Sequence, residues 1–135
     1  MSARLSRRSF LALAGVVVVG GGAAAARLLG GGDTDDLAGP ARTAAMLFDD
    51  PEAARRVGAR WLELNPHEND PELLVTLLSR AQPALGRALA AGDVPTTRRL
   101  TRQRAAHELG AGDLRHLDAW LVSATEVRLA ALLAA

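Results

Sequence analysis

From Pro51 onward the apolar residues recur at helical spacing. Ala54, Val57, Gly58, Trp61 and Leu62 follow the i, i+3, i+4, i+7, i+8 rule, while Arg55, Arg56, Arg60 and Glu63 take the other side. That predicts an amphipathic helix ending before Pro66. Leu73, Leu77, Ala81, Leu85 and Leu89 form a second row, with Leu74 and Leu78 beside it. A proline inside a helix costs about 3 kcal/mol and disfavours helical geometry at the residue before it. The row nevertheless stays in phase across Pro83, so a kink near residues 79–82 is expected and not two unrelated helices, with Gly92 as the stop. Residues 97–109 hold good helix formers with a thin stripe of Leu100, Ala105, Ala106 and Leu109, stopped by Gly110. A last helix runs from Ala124 to near the C-terminus, with Leu129, Leu132 and Leu133 for the core.

Local punctuation supports these limits. Asp50-Pro51-Glu52 and Asp70-Pro71-Glu72 each combine a capping Asp, a Pro suited to the first turn and a Glu facing the positive end of the helix dipole. Ser123-Ala124-Thr125-Glu126 fits the capping box, with Val122 and Val127 placed as a hydrophobic staple. No segment alternates β-branched residues with period two, so no sheet is expected. The fold class is all-α, a bundle of about four helices forming one domain over residues 44–135. The stripes at Leu73 to Leu89 and Leu129 to Leu133 exceed what four short helices are expected to cover.

The N-terminal pattern is different. Residues 1–26 divide into a basic stretch, an apolar run from Phe10 to Val19 and a tail of small residues, the three regions of an export signal. Ser6, Arg7, Arg8, Ser9, Phe10 and Leu11 read SRRSFL, which resembles the twin-arginine translocation motif, with Ala12 where a lysine often follows. Gly15 interrupts the apolar run, which falls short of the ~20 residues of a spanning helix. Cleavage is expected after Ala24 to Ala26, giving an exported, extracytoplasmic protein. Residues 27–43 join a glycine triplet, an acidic cluster and Gly39-Pro40, and read as a flexible linker.

Composition then narrows the chemistry. The chain contains no cysteine, which excludes disulfides, thiolate metal sites and cysteine nucleophiles. Net charge is +1, but three of the 16 basic residues lie in the leader; the remaining 13 face 15 acidic ones. That near-even balance gives no electrostatic reason to propose nucleic acid as a partner. His67, His107 and His116 lack the spacing of a helical metal site. Ser123 is explained as a cap and not as a nucleophile. No triad, carboxylate pair or phosphate loop can be assembled, so neither catalytic nor cofactor-binding residues are expected. Arg98, Arg99, Arg102 and Arg104 form the densest charge cluster, read as a solvated helix face with Arg104 paired to Glu108. The two tryptophans, Trp61 and Trp120, read as core anchors.

The stretch from Ala105 to Leu133 (AAHELGAGDLRHLDAWLVSATEVRLAALL) resembles the C-terminal signature of the small subunits of membrane-associated, flavin-dependent sugar and polyol dehydrogenases of the sorbitol and fructose type. The matching positions are Gly112, Asp118, Trp120, Leu121, Ser123, Thr125, Glu126, Arg128 and Leu129; a glycine expected before the tryptophan is Ala119 here. The resemblance implies a non-catalytic partner of a flavoprotein large subunit, often with a cytochrome as third component, whose leader serves the complex at the twin-arginine translocase. Binding is then expected through an apolar surface centred on the last helix, Trp120 and Leu121, with Arg98, Arg99, Arg102 and Arg104 at its rim. The alternative is a stand-alone exported helical binding module.

Overall fold

The computed structural model describes residues 38–135; the leader and residues 27–37 of the expected linker lie outside the described residues. In chain order the elements are α1 (Gly39–Ala45), α2 (Pro51–Leu64), a 3₁₀ turn (Pro66–Glu68), α3 (Pro71–Ala81), α4 (Pro83–Ala91), α5 (Val94–Ala111), β1 (Leu114–Leu117), β2 (Trp120–Ser123) and α6 (Ala124–Leu132). The described residues are thus mostly helical, with six α-helices and one small two-stranded sheet.

The helix starts follow the local grammar. The Asp50 side chain accepts a hydrogen bond from the Ala53 amide at 2.9 Å, and that of Asp70 accepts one from Glu72 at 2.9 Å. Each satisfies a free first-turn donor, and each is followed by Pro at the first helical position. Asn65 closes α2 by donating its side-chain amide to the Trp61 carbonyl before Pro66 blocks continuation. Glycines at positive φ end α4 and α5: Gly92 at 70° and Gly112 at 72°, where any side chain would be strained. The stop of α5 is therefore Gly112; Gly110 lies inside the helix.

Four expectations are corrected. The end of the expected linker is structured, because α1 starts at Gly39-Pro40 and buries Ala41, Thr43, Ala44 and Ala45 against α4 and α6. Pro83 breaks the helix instead of kinking it: Gln82 is extended (φ −153°, ψ 101°), the geometry a following proline imposes. The two halves then fold onto each other so closely that a Cβ on Gly86 would come within 2.7 Å of the Ser79 Cβ. A sheet exists, since Leu114–Leu117 and Trp120–Ser123 pair antiparallel around a turn in which Asp118 takes φ 53°. Finally, the helices number six, which together bury Leu74, Leu78, Leu85, Leu89, Leu129 and Leu132; Leu73 and Leu77 are half-buried.

α6 is the centre of the arrangement. α2 forms its most extensive contact, with α3, α1 and α5 packed around the rest. Along the helix only Glu126 and Arg128 retain partial exposure. The contact with α2 depends on small residues: Gly58 is buried, and a Cβ there would overlap the Ala130 carbonyl and lie 2.6 Å from the Ala131 nitrogen. Removing the side chain lets the two backbones approach to a distance that larger residues forbid.

Candidate partner-docking site

The segment that carries the resemblance folds as one unit: the end of α5, the hairpin and α6. Two buried carboxylates hold it. Glu108, near the C-terminal end of α5 and only 2% exposed, accepts four hydrogen bonds. They come from Ser123 Oγ (2.6 Å), Thr125 Oγ1 (2.8 Å), the Thr125 amide (3.2 Å) and Arg104 Nε (3.1 Å). Ser123 also accepts from the Glu126 amide at 3.2 Å, so one hydroxyl both caps α6 and ties it to α5. Burial pushes the Glu108 carboxyl up, but these bonds outweigh it and hold it below the usual glutamate value. Glu126, by contrast, is pushed up, first by its own burial and then by the Glu108 charge.

Glu68 makes the second tie. In the 3₁₀ turn, it receives Trp61 Nε1 at 2.9 Å and both Nε (3.1 Å) and Nη2 (2.7 Å) of Arg128. The bidentate fork suits a planar guanidinium. Burial again raises this carboxyl, while the bonds from Arg128 and Trp61 lower it further, and the net direction is down. At the hairpin tip Arg60 grips Asp118 through Nε and Nη2 (3.0 and 2.7 Å) and donates to Glu63 at 2.8 Å. The Arg60 hydrogen bonds lower the Asp118 carboxyl. This pair is exposed, so it positions the turn more than it stabilises the fold.

Neither buried carboxylate was predicted as buried. The i, i+4 pairing of Arg104 with Glu108 is legible in sequence and is present. The partners at positions 123 and 125 are set by the hairpin, whose two four-residue strands are too short to show a period.

The expected docking residues separate accordingly. α6 lies in the core, so a surface centred on it is not available, and this corrects the expectation. Trp120 is half-buried against the core, while Leu121 is 48% exposed. Leu121 lies opposite His116, also exposed, on the hairpin face shared with Ser123. Of the four arginines, Arg104 is committed to Glu108 and Arg98 donates to the Met46 carbonyl at 2.9 Å. Arg99 and Arg102 are exposed and form no ion pair among the described residues. An open depression of about 290 Å³ is lined by Gln82, Gln103, Arg104 and His107.

Among the described residues no group of three or more His, Asp or Glu side chains is placed to hold a metal ion, and no helix is long and apolar enough to cross a membrane. His67, His107 and His116 are all exposed. No family model matches the chain, and no curated protein or solved structure matches it either.

Proposed function

We propose that this protein is a non-catalytic accessory subunit, exported through the twin-arginine route, that escorts or stabilises a flavin-dependent sugar or polyol dehydrogenase large subunit. One observation carries the reading. Of the nine positions on which the resemblance rests, most have a task inside the domain: Gly112 ends α5, Asp118 forms the turn, and Ser123, Thr125 and Arg128 bind the buried carboxylates. The Glu126 amide completes the cap, Leu129 fills the core, and half-buried Trp120 packs against that core. Leu121 is left facing outward. A large aliphatic side chain on an otherwise accounted-for hairpin is what a docking contact requires.

The test is co-purification of the protein expressed from its native locus, followed by flavin absorbance of the eluate. A larger flavoprotein that co-elutes, and stays inside cells lacking this gene, supports the reading. A monomer without flavin, or a flavoprotein exported normally in its absence, overturns it in favour of the stand-alone binding module.

A further inference from the structure

The depression bounded by Gln82, Gln103, Arg104 and His107 has no acidic side chain in its lining, and N–H donors dominate it. Arg104 reaches it with a guanidinium held from behind. Its Nε is bonded to Glu108 at 3.1 Å, while both Nη groups come to the surface with no partner among the described residues. Gln82, in the extended link between α3 and α4, buries its Oε1 and leaves the Nε2 amide, with two N–H groups, outermost. Gln103 and His107 are exposed and four residues apart on α5, so they stand one above the other along its rim. At about 290 Å³ the depression is at the small end for ligand sites, with room for one small molecule.

Charge favours an acceptor-rich, negative ligand. Glu108 offsets Arg104, but the pair is oriented: the carboxylate is 2% exposed and the arginine side chain 27%, so the positive end faces the depression. Helices α3, α4 and α5 together carry six arginines against Glu72, Asp93 and Glu108. Glu72 and Asp93 each stand ten residues before a lining glutamine along the same helix, roughly 15 Å away. Glu126, near enough to Glu108 to feel its charge, does not line the depression.

We infer that this depression is a binding site for a small oxyanion, a carboxylate or phosphate group, held by the free edge of the Arg104 guanidinium. The planar Nη pair offers two parallel N–H bonds to two oxygens of such a group. Glu108 acts as the positioning residue: by holding Nε it fixes the plane of the guanidinium before a ligand arrives. Gln82 Nε2, Gln103 and His107 supply further donors around it. The site needs no partner protein to be filled.

The experiment follows the Arg104 Nε–H and the Gln82 and Gln103 side-chain amide signals by NMR in the 15N-labelled full chain. Sodium phosphate or sodium acetate replaces sodium chloride at fixed pH and ionic strength. At least one of the two ions is expected to shift these signals together and saturably, with a Kd of about 10 mM or tighter. The tighter ion identifies the group the site takes. Gln103→Glu puts a carboxylate into the lining, where it competes for the Arg104 edge, and should weaken binding about tenfold. Arg102→Gln makes the same one-unit change in charge at an exposed α5 position outside the lining and should weaken it less than about threefold. No saturable shift with either ion, shifts spread evenly over the exposed arginines, or equal losses in the two variants each overturn the inference.

Discussion

Replacing Gly58 with alanine sets two effects against each other. In a helix interior, Ala is favoured over Gly by about 1 kcal/mol, so α2 taken alone predicts a more stable protein. The structure predicts the reverse. The new methyl would overlap the Ala130 carbonyl and lie 2.6 Å from the Ala131 nitrogen, both backbone atoms of the central helix. No rotamer change relieves that overlap, so α2 and α6 must separate by roughly 1 Å, loosening Ala54, Trp61 and Leu62 in the same interface. Overpacking of this kind costs about 1–3 kcal/mol and more where backbone must move. Taking about 3 kcal/mol against the helix gain leaves a net loss of about 2 kcal/mol. For a domain of this size that lowers Tm by roughly 8–16 °C. Thermal unfolding followed by circular dichroism at 222 nm measures it. Gly110→Ala is the control, because that glycine is also within a helix but faces open space, and it should raise Tm by a few degrees. A Gly58→Ala protein as stable as the parent would refute the packing argument.

Other outcomes follow from the buried carboxylates and the leader. Because Glu108 is held below its ordinary value of 4.5, its contribution is present above that pH and lost as pH falls below it. Glu108→Gln should therefore cost about 1.5–3 kcal/mol at pH 7, measured by urea unfolding, and much less at pH 3. Glu126 is shifted the other way, so its contribution is present below the ordinary value and lost as pH rises through its raised one; Glu126→Gln should leave stability at pH 7 unchanged or higher. Arg128→Ala leaves Glu68 buried with only Trp61 as partner and should cost about 3 kcal/mol, read as a fall in the urea midpoint. Lysine at both Arg7 and Arg8 should abolish export in cell fractionation, since the receptor reads that pair; unchanged export would assign the leader to the general secretory route. Within the proposed complex, Leu121→Asp should lower co-purification of the flavoprotein more than Arg104→Ala, whose guanidinium is committed to Glu108.

The features legible in the sequence were those decided within one helical turn. Asp50, Asp70 and Ser123 cap their helices through bonds to residues two or three positions on, and the Trp61 stripe needs only its own periodicity. What escaped depends on residues far along the chain. Glycine, proline and small residues around Gly39 read as linker, yet α1 is held by alanines whose small size lets it lie against α4 and α6. Leu73 and Leu74 are equally apolar, and only the packing of α3 on α4 and α6 decides that Leu74 is the more deeply buried. Glu108 looked like half of a surface pair because the hydroxyls that bond it, Ser123 at the end of the hairpin and Thr125 in α6, are brought to it by a hairpin with no sequence period. The last helix looked like a surface stripe for the opposite reason: seven of its nine residues are buried, and a helix covered nearly all round shows little amphipathic pattern.

The order in which these pieces are made has its own consequence. The helix on which α1, α2, α3 and α5 pack is encoded after all of them, and synthesis proceeds at about 5–20 residues per second. Until α6 has been made, Leu74 and Leu78 belong to a face of α3 whose partner does not yet exist. Burial of that face waits until α6 has been synthesised. A chain cut short before α6 would leave that face of α3 open to solvent, to proteases and to other chains.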